Sequence, residues 1–184
     1  MTPASWAEEQ RARAVVDEML TADAFSCWLG VEVLEAAPGH SRIGMTVRDD
    51  MVNGFGTSHG GIVFSFADSA LAFATNAGGF VSVALDCTVS FTRPVRPGDR
   101  LTALCTEEST TNTLAFCSVT VRNQDDVTVG HFRGTVHRTR HRHPAADASR
   151  TDHARAGSAP VEAAPGDEAR ADADTPTTKS TRIE

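Results

Sequence analysis

A histidine, a glycine pair and a single carboxylate fall within ten positions of one another, as His59-Gly60-Gly61 and Asp68. Around them run Ile62, Val63, Phe64, Phe66, Ala67, Ala70, Leu71 and Phe73, so Asp68 lies in an otherwise apolar helix expected over about 61–77. A carboxylate in such surroundings costs several kcal/mol unless its desolvation is repaid. The start of a helix presents backbone N–H groups without intrahelical partners, which suits them to bind an oxyanion. A base or nucleophile combined with an N–H cluster is equipment for acyl transfer.

Spacing limits how these groups can cooperate. Gly60 and Asp68 are eight residues apart, roughly 12 Å along a helix axis. A carboxylate acting on a carbonyl must reach it directly or through one water, about 3 Å per step. One helix cannot easily bring both groups to the same carbonyl. If both act, Asp68 faces the helix start of a second copy, and the protein is a dimer with two shared sites. Each signal alone also has a plainer reading. Asp68 could hydrogen-bond a nearby loop, His59 could cap the helix, and Asn53-Gly54 could be a tight turn. Gly60-Gly61 could serve only close packing. The joint pattern Asn53-x5-His59-Gly60-Gly61-x6-Asp68 is far more specific than its parts.

The elements that must hold this pattern are legible from periodicity. Val15, Val16, Met19 and Leu20 fall at helical spacing within an amphipathic helix over 4–28. Alternation at Val31/Val33 and at Ile43/Met45/Val47 predicts two strands around Pro38-Gly39. A glycine-rich loop over 50–59 leads into the central helix, and Gly78-Gly79 ends it. Four further strands are expected over about 81–92, 99–109, 112–123 and 127–138, read as a meander. One apolar helix followed by antiparallel strands gives an α+β fold with a sheet curled around the helix.

Composition bounds the rest. The chain has 184 residues and a formal charge of −7, room for one domain and a tail. From Thr139 to Glu184 there is no Leu, Met or aromatic residue, so 139–184 is expected to be a disordered tail beyond a domain of residues 1–138. The single lysine, Lys179, lies in that tail. An acidic domain whose fixed cations are arginines argues against nucleic acid. Cys27, Cys87, Cys105 and Cys117 lack C-x-x-C spacing and read as core thiols of a reducing, cytoplasmic compartment. The charged N-terminus does not read as a signal peptide. The apolar stretch 60–85 is interrupted by Asp68, Asn76 and Gly78-Gly79, which favours a core helix over a membrane span.

Several motifs recur in register over about 5–138. They are Met51-Val52-Asn53-Gly54, His59-Gly60-Gly61 with Phe64, Ala67-Asp68 and Ala72-Phe73-Ala74, then Cys87-Thr88 and Phe91-Thr92-Arg93-Pro94. Pro97-Gly98-Asp99-x-Leu101-Thr102-Ala103 and Phe132-Arg133-Gly134-x-x-His137-Arg138 complete the set. Together they resemble the hotdog-fold acyl-CoA thioesterases, most closely the PaaI type of phenylacetate degradation. The resemblance implies that Asp68 is nucleophile or general base, and that the Gly60 N–H polarises the thioester carbonyl. It implies that His59 and Asn53 position the thioester or its leaving thiolate, and that paired subunits form a homodimer or homotetramer with shared sites. A hydroxyl that related enzymes carry after the helix would fall at Ala84 here, with Ser82 two residues earlier. The acyl group is expected along the buried helix near Phe64 or Phe55, with Gly61 a further substrate-binding candidate. Arg93 and Arg138, among Arg96, Arg100 and Arg133, are candidates for the CoA phosphates. The substrate expected is a phenylacetyl- or hydroxyphenylacetyl-type CoA thioester, with no metal or organic cofactor.

Two alternatives remain at this level. A hotdog hydratase would pair its Asp with a His five residues on, but Phe73 stands there. A binding-only acyl-CoA regulator would tolerate loss of the carboxylate, which is present.

Overall fold

In the computed structural model, which describes residues 3–151, the chain runs α1 (Pro3–Ala22), α2 (Ala24–Leu29), β1 (Glu32–Ala37), β2 (His40–Thr46) and a short helical turn at Asp49–Met51. It continues with α3 (Gly60–Asn76), β3 (Phe80–Phe91), β4 (Arg100–Thr110), β5 (Leu114–Arg122), β6 (Thr128–Arg142) and α4 (Pro144–Thr151). One antiparallel sheet in the order β1-β2-β4-β5-β6-β3 curls around α3, the expected hotdog arrangement. Val63, Phe66, Ala67, Ala70, Leu71, Phe73 and Ala74 bury the sheet-facing sides of the helix against Ile43, Leu101, Ala103, Val119 and Phe132. The helix approaches β6 so closely at Leu71 that any Cβ at Gly134 would collide with its side chain. Gly61, Ser65, Asp68 and Ala72 recur at three- to four-residue steps and form the stripe that this core leaves uncovered, with Phe64 at its margin.

Three expectations are corrected. The first helix is broken at Asp23, whose Oδ1 accepts from the N–H groups of Phe25 and Ser26 at 3.0 Å each. A carboxylate N-cap there starts α2, and Gly30 at φ +77° ends it. The last four strands are not a simple meander. β4, β5 and β6 are, but β3 pairs with β6 and lies on the sheet edge. The reason is in the linkers: 111–113 and 123–127 are hairpin length, while 92–99 holds two prolines and crosses roughly 14 Å of sheet. The third correction concerns the tail. β6 continues to Arg142, which pairs with Phe80 and lays its guanidinium 4.6 Å from that ring's centroid. α4 then docks Ala146 against Gly79. Strand pairing and one well-placed alanine order residues 139–151 despite a composition poor in large apolar side chains. The rest of the predicted tail, 152–184, lies outside the described residues.

All four cysteines are free; Cys105 and Cys117 are buried, Cys87 is half-buried, and Cys27, expected in the core, is exposed. Cys27 stands on the outer side of α2, where its thiol donates to the Leu20 carbonyl at 3.1 Å. Among the described residues no helix is long and apolar enough to cross a membrane.

Candidate active site

The loop ahead of α3 is built by its own backbone. Asn53 donates its N–H to the Thr57 carbonyl (2.7 Å), Gly56 donates to Asn53 (3.1 Å), and His59 donates to Met51 (2.8 Å). The Asn53 side chain is occupied inside this loop: Oδ1 accepts from the Phe55 N–H at 2.8 Å, and Nδ2 donates to Thr57 Oγ1 at 3.1 Å. Asn53 therefore shapes the loop, the plainer of its two sequence readings.

His59 caps the helix. Its Nδ1 accepts from the Gly61 N–H at 2.9 Å, and its carbonyl accepts from Ile62 at 2.9 Å. An accepting Nδ1 puts the ring proton on Nε2, so exposed His59 offers a donor at the helix start. Both glycines are tightly approached by neighbouring side chains. A Cβ at Gly61 would stand 3.0 Å from that same Nδ1, and one at Gly60 would stand 3.1 Å from Cζ of Phe91. Among the described residues no acceptor engages the Gly60 N–H. It is an open donor at the positive end of a four-turn helix, beside an aromatic ring.

Thr57, Ser58, Gly60, Val63, Phe91 and Arg93 line a cleft of about 300 Å³ at this point. Arg93 is thus brought to the helix start. Arg138 is not. It forms an ion pair with Glu107 and lines a separate hollow with Thr75 and Gly78 at the opposite end of α3. With its charge compensated there, it does not join the Gly60 cleft. A larger cleft, about 530 Å³, also lies at that far end between α1, α4 and Gly78-Gly79, and it contains none of the motif residues.

Asp68 is half-buried on the uncovered stripe, two helical turns beyond Gly60. Burial raises its carboxyl above the ordinary carboxylate value, and a contact from Cys87 lowers it only in part. The Cys87 sulfur lies 3.8 Å from Asp68 Oδ1. Phe64, expected along the acyl group, packs edge-on against Phe132 with centroids 5.3 Å apart, while Gly61 opens the same stripe. Ala84 is exposed on β3, and the Ser82 hydroxyl donates to the Thr75 carbonyl at 3.1 Å. Neither supplies a hydroxyl to Asp68. Cys87 and Phe91 were not among the residues expected to act, although Cys87, Val89 and Phe91 alternate as one face of a strand should.

The thioesterase superfamily model matches residues 55–130, from the loop tip to the first residues of β6. The acyl-coenzyme A thioesterase PaaI of Escherichia coli is 38% identical over 116 residues, covering 63% of this chain and 83% of that protein. The structure of E. coli PaaI, from the phenylacetic acid degradation operon, superposes with a TM-score of 0.71 at 34% identity, covering 73% of this chain and 97% of that one. A Streptococcus mutans protein solved with acetyl-CoA bound is 25% identical with a TM-score of 0.59, over 61% of this chain and 91% of its own. The sheet wrapped on α3, the glycine-led helix start and relatives matched over most of their length agree: the chain belongs to the thioesterase superfamily, as a hotdog-fold thioester hydrolase of the PaaI type.

Proposed function

We propose that this enzyme hydrolyses acyl-CoA thioesters of the aryl-acetyl class, with Asp68 as nucleophile or general base and the Gly60 N–H polarising the carbonyl. The observation that carries the reading is a half-buried carboxylate, without a cationic neighbour among the described residues, on the same uncovered stripe as an open helix start. In one course Asp68 attacks the thioester carbon, the C–S bond breaks, and water then cleaves the mixed anhydride. In the other Asp68 takes a proton from water, hydroxide adds, and the thiolate leaves. Both need the ionised carboxylate, and both place negative charge on the carbonyl oxygen, where a preorganised N–H is worth most. Neither calls for a metal or cofactor. The acetyl-CoA-bound relative supports a CoA thioester, and the operon named for E. coli PaaI supports an aryl-acetyl group.

The reading also requires a second subunit, because Gly60 and Asp68 of one helix are about 12 Å apart. Edge strand β3 supports it: its outer side has no strand partner among the described residues, and Phe80, Val83, Leu85 and Phe91 stand exposed along it. Two copies joined there, as a dimer or within a tetramer, would bury that edge. Arg93 at the Gly60 cleft is the arginine proposed to meet CoA phosphate.

The test is release of free CoA thiol from aryl, short-chain and long-chain acyl-CoAs by wild type and Asp68→Asn. Aryl-selective turnover that falls at least ~100-fold in the variant is expected. Acyl-CoA binding with no turnover across the panel would replace the enzyme by a regulator. Mixing Asp68→Asn with Gly60→Ala should raise activity to about a quarter of wild type, well above the mean of the two variants alone, if sites are shared between subunits; activity no higher than that mean would put both groups in one chain.

A further inference from the structure

The register of β3 against β6 slips at two places, between Phe80 and Ser82 near the strand start and between Ala84 and Asp86, where Leu85 is the extra residue. Such a bulge exchanges the two faces of a strand from that point onward. Ahead of it Ser82 faces α3, bonding the Thr75 carbonyl. Unbroken alternation would turn Asp86, Thr88 and Ser90 towards the helix. With the bulge, Cys87 and Val89 pack against the core, Phe91 reaches Gly60, and Asp86 and Thr88 line a hollow with Arg133 and Thr135 on the other side of the sheet. The bulge therefore exchanges an acid beside Asp68 for a thiol. Directly across the ladder from Cys87 stands Gly134, the residue that lets α3 approach the sheet at Leu71.

We propose that Cys87 is a positioning residue for Asp68: its S–H donates to Oδ1, 3.8 Å away, holding the carboxylate in one rotamer with Oδ2 presented to the thioester or to its attacking water. The proposal rests on the catalytic reading of Asp68. Burial first, then the Asp68 charge and hydrogen bond, push the Cys87 thiol up to about 11, so it stays protonated and a donor throughout the neutral range. A thiol so placed is no nucleophile. It is a weak donor, with little penalty when the carboxylate moves during turnover.

The test compares kcat, KM and the pH dependence of kcat/KM for wild type, Cys87→Ser, Cys87→Ala and Asp68→Asn on one aryl-acetyl-CoA. Cys87→Ala should lower kcat about 5-fold with KM within about 2-fold. Its acidic limb should move to higher pH, because the bond that favours the ionised carboxylate is gone. Cys87→Ser, which keeps a donor, should recover most of kcat and return the limb towards wild type. A Cys87→Ala enzyme with wild-type kcat and limb, beside an inactive Asp68→Asn, would overturn the role of Cys87 alone. So would equal losses in Ser and Ala variants with the limb unmoved, which is the mark of packing. An active Asp68→Asn would overturn the catalytic reading and this proposal with it.

Discussion

The two ends of α3 are built on opposite principles. At its last turn nearly every polar group is tied down. Asn76 Nδ2 donates to the Ala72 and Ser82 carbonyls, and its Oδ1 accepts from the Ser82 N–H and from His143 Nε2, each at 2.8 Å. Ser82 caps the Thr75 carbonyl, and the Gly39 N–H caps Ala74 at 3.0 Å. At the first turn the opposite holds. One N–H is capped by His59, the Gly60 N–H is open, and a cleft begins there. Unsatisfied groups are costly where they are buried and useful where a ligand can replace water. One end anchors the helix so that the other can stay unsatisfied, and Asp68 lies between them.

The largest break in this contrast is at the carboxylate. Asp68→Asn should abolish turnover yet stabilise the fold at neutral pH, read as a higher Tm. Its raised carboxyl means the fold favours the neutral acid. Wild-type stability from this group is therefore full below the ordinary carboxylate range and is lost as pH rises through the raised value. The Tm advantage of Asn should close in acid; a constant advantage would mean the carboxylate is not the cause.

A smaller effect is expected at the open end. Gly60→Ala forces the Phe91 ring to give way, with the new Cβ 3.1 Å from Cζ, and should cost ~10-fold in kcat with Tm nearly unchanged. An unaffected kcat would remove the helix start from the chemistry. The closed end should behave in reverse. Asn76→Ala strands several buried groups and should cost about 1–3 kcal/mol of stability, while kcat stays within about 2-fold. A comparable loss of kcat would show that the two ends are coupled.

The smallest difference separates two truncations. Ending the chain after Arg142 removes the His143–Asn76 bond, the Ala145 N–H to Glu18 bond at 2.9 Å, and Ala146 from Gly79. Tm should fall by roughly 3–8 °C. Ending it after Thr151 should leave Tm and kcat unchanged, as the composition of 152–184 suggests. A large fall in the second case would give that segment a structural role.

Residue periodicity and punctuation were enough to read the central helix, six strands and the His59-Gly60-Gly61/Asp68 pattern, because each depends on local spacing. Apolar residues at helical steps require a buried helix, and alternation requires strands, whatever their neighbours. The Asp23 cap was also a local signal, an Asp three residues before Ser26, outweighed by the apolar spacing on either side. Long-range pairing was not legible. That β3 lies at the edge beside β6, that Arg138 is neutralised by Glu107 at the far end of α3, and that residues 139–151 dock all depend on partners distant in sequence. The bulge at Leu85 is the clearest case. One extra residue, invisible in composition and motif, decides which β3 side chains meet Asp68, because the two faces of a strand alternate and a single step exchanges them.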